Sequence, residues 1–299
     1  KWRGYGEAGQ LTSDFFREEY ALNHRIATQD GATMPQVSLW DGVVMGGGVG
    51  ISVHGKYRVA TDNTLFAMPE TAIGLFPDVG GTWWLPRLSG GIGRYVALTG
   101  ARLRAEDLLY AGIATHYVPS ERLPSLRAAL ADATDREGGG DIAAPVLMSF
   151  HQVVDGGKSN LARHRDEIDA AFGDKDAAVE DVVASLERMA GEGSKFGEET
   201  LLALRGASPT SLKVTQEGLR RGAEVRTIGE ALQMEYRMVQ GFMQGGSDFY
   251  EGVRAMLVDK DKNPQWNPPT LDEVTDEMVE SYFQDLGENE LKLGGPSRL

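Results

Sequence analysis

The chain has 299 residues and a formal net charge of −14, with 41% hydrophobic and 25% charged residues. That length suffices for one large domain or two small ones with a sizeable core, and the composition is that of an ordinary globular protein. The acidic balance argues against a direct nucleic-acid surface, which needs clustered Lys and Arg, and the absence of cysteine excludes disulfides, thiolate catalysis and zinc–cysteine sites.

No apolar run is long enough to suggest a membrane span. The five histidines, at 24, 54, 116, 151 and 164, form no HxxxH or HExxH pair, so no metal is expected. The chain begins Lys1-Trp2-Arg3 with neither Met nor a signal-peptide pattern. It reads as processed, truncated or incompletely represented at this end. The last residues, Ser297-Arg298-Leu299, are a conservative variant of the Ser-Lys-Leu peroxisomal address, a three-residue match that a frayed tail would also give.

In chain order, Ser13 can cap a helix that runs to about Ala27, with apolar residues at helical spacing: Phe15, Phe16, Tyr20, Leu22 and Ile26. A loop follows from Gly31 to Pro35, and Gln36 to Trp40 reads as a short buried strand. The run Met45-Gly-Gly-Gly-Val-Gly50 then leads into an apolar stretch, as at a tight turn opening a helix; Arg58–Ala60 and Thr64–Ala67 read as further short strands. Strand, glycine turn, helix, strand is the rhythm of an α/β unit. Pro69 to Pro86 is largely irregular. Helices are expected at 92–98 and 105–111, a Gly138–Gly140 linker follows, and beyond it helices fall near 161–172, 176–190, 197–205, 209–221, 227–244 and 248–258. Pro264 to Pro269 is an extended loop, and the acidic stretch 270–290 is helical in part, its charges a solvated face. An α/β part, 1–137, thus precedes a mainly helical part, 141–299.

Gly46-Gly47-Gly48 has the right chemistry for stabilising an oxyanion. Glycine permits φ > 0 and close backbone approach, and a helix N-terminus adds free donors and a positive dipole end. One such donor is typically worth about 2.7–4 kcal/mol in a transition state. The run is neither a P-loop nor a G-x-G-x-x-G fingerprint, and close strand–helix packing would use the same glycines. Two carboxylates follow, Glu70 after Pro69 and Asp78 after Pro77, among Phe66, Met68, Ile73, Leu75, Phe76, Trp83 and Trp84. Burial of a carboxylate in such surroundings is costly and raises its pKa, the usual setting for a general base or carboxylate nucleophile. Helix capping or surface polarity is the plainer alternative for each.

These residues resemble the crotonase superfamily and, within it, the branch that hydrolyses 3-hydroxyisobutyryl-CoA. The resemblance is carried by Met45–Gly50, Phe66-Ala-Met-Pro-Glu-Thr-Ala-Ile-Gly-Leu-Phe-Pro-Asp-Val-Gly-Gly81 and Leu98-Thr-Gly-Ala-Arg-Leu103. It continues in Phe15-Phe-Arg-Glu-Glu-Tyr20, Ser208–Lys213, Met234-Glu-Tyr-Arg237, Asp248–Arg254, Asp259–Asp261 and Pro264–Trp266. It implies an α/β crotonase fold, stacked ββα turns in a spiral followed by a helical C-terminal region. It also implies that Gly47 donates an N–H to the thioester oxygen. Glu70 would attack the carbonyl or activate water against it, Asp78 would assist, and Glu19 would contact the 3-hydroxyl end of the substrate. Family members also carry an upstream Ala-Gly-Gly-Asp-type turn that supplies a second oxyanion donor. Gly4, Gly6 and Gly9 do not reproduce it, so that part of the spiral is expected before Lys1.

The implied activity is acyl-CoA thioester hydrolysis in valine catabolism, with no cofactor because coenzyme A belongs to the substrate. A mitochondrial location and a homo-oligomer are the corresponding expectations, peroxisomal targeting being the alternative. The rivals are an enoyl-CoA hydratase or isomerase, disfavoured by Asp78 where a hydratase carries a second glutamate, and a hydrolase-like component of a mitochondrial ribosome small subunit. Lys213, Arg254 and Lys260 are candidates for CoA phosphate contacts, each also readable as a surface charge. His54, placed within the helix after the glycines, and His116 read as structural. Trp83 and Trp84 read as core residues or as lining for the acyl pocket.

Overall fold

The computed structural model describes residues 8–29, 35–134 and 141–293. In chain order these form α1 (Ala8–Thr28), β1 (Val37–Trp40), β2 (Val43–Val44), α2 (Gly47–Val53), β3 (Tyr57–Ala60), β4 (Leu65–Phe66), α3 (Gly81–Trp84), α4 (Ile92–Thr99), α5 (Ala105–Tyr110) and β5 (His116–Tyr117). Helices follow: α6 (Leu123–Thr134), α7 (Ala143–Phe150), α8 (Asn160–Arg163), α9 (Arg165–Phe172), α10 (Val179–Gly191), α11 (Lys195–Gly206), α12 (Pro209–Glu224), α13 (Ile228–Phe242), α14 (Asp248–Val253) and α15 (Asp276–Ser281).

The residues group into two compact units that interleave along the chain. One contains 8–24, 68–101 and 166–293; the other contains 25–29, 35–67, 102–134 and 141–165.

The second unit holds the strands. β1, β3 and β5 form one parallel sheet in that order, and β2 and β4 form another parallel pair. Each repeat therefore places one short strand in each of two sheets and returns through a connecting segment, the ββα stacking implied by the sequence resemblance. The register aligns Val37 with Tyr57 and Leu39 with Val59. Val59 packs with Val118, Leu123, Leu126, Ala143 and Leu147, and Val37 and Leu39 lie against that cluster. Burying each such side chain contributes about 1.5–3 kcal/mol. Helices α6 and α7 supply four of the six residues of this cluster, although the sequence reading assigns no helix to either stretch; Pro124, Pro145 and the nearby Gly138–Gly140 punctuate it like loop. That glycine run, most of the Gly31–Pro35 loop and the Ser297-Arg298-Leu299 tail lie outside the described residues.

The first unit is almost wholly helical. Leu98, Phe172, Leu186, Leu212, Leu232, Met238 and Phe242 are buried in it. Helix α1 starts earlier than expected. Ser13 lies inside it rather than capping it, and its hydroxyl is 2.6 Å from the Tyr236 hydroxyl instead. His54 is likewise displaced from its expected place within a helix: it is the C-cap of α2 and half-buried. The acidic stretch 270–290 contains α15 flanked by short 3₁₀ turns, and α14 passes into a π turn, Arg254–Val258. Among the described residues, no helix is long and apolar enough to cross a membrane.

Candidate active site

Glu70 opens a 3₁₀ turn, Glu70–Ile73, closed by Gly74 at φ 72°. The turn is fixed by its surroundings. The Thr71 hydroxyl donates to Leu98 O (3.2 Å), and the Ser208 N–H donates to Thr71 O (3.1 Å). Helix α14 lies directly on it: a Cβ on Gly74 would stand 2.3 Å from the Asp248 carbonyl, and one on Gly252 would stand 2.2 Å from Ile73 O. Two glycines thus permit backbone-to-backbone contact where any side chain would intrude.

The Glu70 side chain is only 4% exposed, and its Oε2 has no hydrogen-bond partner. Burial pushes its carboxyl up to about 8, against an ordinary 4.5. Asp107 shows how this chain satisfies a purely structural carboxylate. Equally buried, it accepts from Ser159 Oγ (2.9 Å), Leu161 N (3.0 Å) and Arg104 N (3.1 Å). Among the described residues, Glu70 is the one buried carboxylate left with an unpartnered oxygen. Such an oxygen is costly to keep and is free to meet a substrate or water.

Asp78 sits at a sharp reversal. The next two residues have positive φ, Val79 at 53° and Gly80 at 87°, and the Gly81 N–H returns to Asp78 O at 2.8 Å. A β-branched residue in this region costs on the order of 1–3 kcal/mol and persists only where its surroundings hold it. Glu235, fully buried on α13, accepts from Gly80 N (2.7 Å), Thr82 N (2.8 Å) and Thr82 Oγ1 (2.7 Å). The Tyr20 hydroxyl donates to Asp78 Oδ2 at 3.0 Å. Burial holds the Asp78 carboxyl well above the usual range. The neighbouring charges of Glu70, Glu19 and Glu235 push it the same way, and only the Tyr20 bond opposes them. Burial raises Glu235 to about 7.

Glu19, half-buried beside Tyr20 on α1, is raised by burial and adds its field to Tyr20 and Asp78. The structure therefore brings together three of the expected site residues, Glu19, Glu70 and Asp78. All three carboxyls are raised above their ordinary values, with burial the largest cause in each.

Gly47, the fourth, belongs to the strand-bearing unit. Gly46 caps α2 with φ 54° and ψ −136°, a conformation open to glycine. The N–H groups of Gly48 and Val49 are taken by Met45 O (3.1 Å) and Gly46 O (2.8 Å). Gly47, the first residue of the helix, has an N–H with no acceptor within the helix, and its surface is exposed.

The profile of the enoyl-CoA hydratase/isomerase family matches residues 3–283. The chain belongs to this family. It is 49% identical over 294 residues to the mitochondrial 3-hydroxyisobutyryl-CoA hydrolase of Xenopus tropicalis, covering 96% of this chain and 73% of the relative. To the Homo sapiens protein of the same name it is 47% identical over 281 residues, covering 93% and 70%. Among solved structures it resembles a carnitinyl-CoA dehydratase from Mycobacterium thermoresistibile (TM-score 0.84, 36% identity, 96% of this chain and 77% of that one). It also resembles an enoyl-CoA hydratase from Rhodobacter sphaeroides 2.4.1 (TM-score 0.83, 37% identity, 97% and 79%). The fold is the crotonase fold.

Within this enoyl-CoA hydratase/isomerase chain, other sequence candidates find structural partners. Lys213 Nζ bonds Glu180 (2.6 Å) and Val274 O (2.9 Å). Arg254 is surrounded by Glu251, Asp259 and Asp261. Both basic groups are thus occupied by acidic neighbours rather than held out for a phosphate. His116 packs edge-on against Tyr57 and His151, and Arg87 lies 3.5 Å above the Trp83 ring.

Sequence reasoning gave no role to Tyr20 or Glu235. A signal for Glu235 was present: residues 231, 232, 235, 238, 239 and 242 form the buried face of α13, and position 235 is the one acid among them. A charged residue at a core position has partners that must be found. Tyr20 looks like an ordinary apolar member of the α1 stripe, and nothing local shows that its hydroxyl meets Asp78.

Proposed function

We propose that the chain hydrolyses the thioester of 3-hydroxyisobutyryl-CoA, giving 3-hydroxyisobutyrate and free CoA in valine breakdown, with no added cofactor. The observation that carries this reading is the buried, unpartnered oxygen of Glu70 in the same carboxylate cluster as Asp78. The names of the relatives at 47–49% identity support the substrate and a mitochondrial location. The structural neighbours, a dehydratase and a hydratase, are more distant at 36–37%.

In the proposed reaction the ionised Glu70 acts on the thioester carbonyl in one of two ways. It adds to the carbon, the C–S bond breaks, and water then hydrolyses the resulting anhydride. Alternatively, it removes a proton from a water that attacks the carbon directly. In both, the protonated Asp78 can deliver the proton that the departing CoA thiolate requires, with Tyr20 orienting it. Gly47 takes the oxyanion role that the family resemblance gives it, and Glu19 accepts a hydrogen bond from the 3-hydroxyl. The unusually high carboxyl pKa values suit a site that must hold one proton and lack another near neutral pH.

Thiol-reagent detection of CoA released from 3-hydroxyisobutyryl-CoA tests the reading, with crotonyl-CoA hydration measured in parallel. Hydration without CoA release would replace hydrolase by hydratase. Absence of both, with co-sedimentation on the mitochondrial ribosome small subunit, would replace enzyme by assembly component. Native mass measured alongside tests the expected homo-oligomer.

A further inference from the structure

The hydrogen bonds of the Glu235 carboxylate go not to Glu70 or Asp78 but to the two residues that flank Gly81: Gly80 N, Thr82 N and Thr82 Oγ1. Those residues complete the reversal that begins at Asp78. The reversal is unusual in placing a valine, Val79, at φ 53° immediately before Gly80 at φ 87°. The helix it leads into, α3, is a single turn, so its own hydrogen bonds hold little. Its far side is pressed by α12, where Gly222 lies against Thr82. The clamp comes from α13, more than 150 residues later in the chain.

We infer that Glu235 is a positioning residue that holds the Val79–Gly80 reversal in its left-handed conformation and so fixes the direction in which Asp78 presents its carboxyl. The inference rests on the reading of Asp78 as part of the hydrolytic site. A buried carboxylate used only to satisfy the end of α3 would need no strained neighbour; the valine makes the clamp necessary and the conformation unique. The groups that bear on Asp78 electrostatically are Glu70, Glu19, Tyr20 and Glu235 itself, so loss of the Glu235 charge also relieves repulsion on Asp78.

The test is Glu235→Gln in the full chain. Glutamine keeps the shape but turns a donor toward one of the backbone N–H groups. Turnover of 3-hydroxyisobutyryl-CoA is expected to fall roughly 10- to 100-fold, the usual effect of a small misplacement of a catalytic group, while KM changes by less than about threefold. The pH profile of kcat/KM should move to lower pH, and deuterium exchange in a peptide spanning 78–84 should quicken. Adding Val79→Gly to Glu235→Gln should recover roughly tenfold in turnover, because glycine takes the left-handed conformation without a clamp. Wild-type turnover and exchange in a folded Glu235→Gln protein would overturn the inference, and so would a deficit that Val79→Gly leaves untouched. Should Glu235→Gln not fold, Thr82→Val removes a single donor. It should lower kcat several-fold at constant KM, and unchanged kcat would overturn the inference equally. Hydrolysis by the unaltered chain decides the functional reading separately, and the exchange measurement needs no substrate.

Discussion

Tyr20 donates a hydrogen bond to Oδ2 of Asp78 across 3.0 Å, with both side chains buried. It is the one interaction that favours the ionised form of an aspartate which burial and three carboxylate neighbours all oppose. Tyr20→Phe keeps the ring and deletes the donor. The Asp78 carboxyl should titrate higher still, and kcat should fall several-fold with its pH profile displaced upward. Stability above neutral pH should drop by about 1–3 kcal/mol, the cost of a buried oxygen left unsatisfied. Steady-state kinetics across pH, together with denaturant melts, check both parts.

Glu70→Gln should abolish hydrolysis, by roughly a thousandfold or more, because an amide neither attacks the carbonyl nor accepts a proton. The same change should stabilise the fold in alkaline solution. The Glu70 carboxyl titrates near 8 when folded and near 4.5 in its ordinary state, so the folded chain binds this proton more tightly. Its contribution to stability is full below about 4.5 and is lost as pH rises through about 8. Removing the ionisable group relieves a penalty on the order of a few kcal/mol above that point. Urea melts at pH 6 and pH 9 provide the comparison, and equal ΔΔG values at the two would contradict it.

The same titration sets the activity profile. The proposed reaction uses ionised Glu70 and protonated Asp78, so kcat/KM of the unaltered enzyme should rise with pH toward about 8 and fall once Asp78 loses its proton. A plateau already reached at pH 6 would show that another group carries the step.

Asp78→Asn retains size and hydrogen-bonding capacity but cannot give up a proton to the leaving thiolate. Turnover should fall by roughly 10²- to 10⁴-fold, the usual worth of general acid–base catalysis, with a much smaller change in KM. A rise in KM alone would recast Asp78 as a binding residue.

Gly222→Ala should be destabilising, although alanine is ordinarily favoured over glycine inside a helix by about 1 kcal/mol. A Cβ there would stand 2.0 Å from Thr82 O, which is backbone and cannot swing away. Thermal melting should show a lower Tm. Turnover should fall too, because the displaced residue belongs to the reversal after Asp78.

The legible parts of this chain were those written in local patterns. Glycine before an apolar run marked the start of α2, and Pro69-Glu70 and Pro77-Asp78 marked two carboxylates among apolar neighbours, with capping or surface polarity left open by the residues alone. The short stretches Gln36–Trp40, Arg58–Ala60 and Thr64–Ala67 read as strands and contain β1, most of β3 and β4, whereas Val43–Val44, only two residues long, carries no period to read. Helices α6 and α7 were lost because their prolines fall within the first turn, where the helix lacks acceptors for N–H groups and tolerates them. What local pattern could not supply was pairing at a distance. Tyr20 and Asp78 are 58 residues apart, and Glu235 and Gly80 are 155 apart. Neither partner of either pair signals the other in its own neighbourhood.

The interleaving of the two units bears on how the chain matures during synthesis. The described part of the strand-bearing unit is all translated by residue 165, whereas the unit with Glu70 and Asp78 draws on residues out to 293. At typical translation rates of about 5–20 residues per second, the turn at Asp78 leaves the ribosome roughly ten to thirty seconds before α13 can reach it. Through that interval the nascent chain carries this segment without α13, and for most of it without α12, the helices that pack on α3 in the folded chain. A stalled or truncated product ending before Glu235 would thus be a client for chaperones and proteases rather than a partly active enzyme.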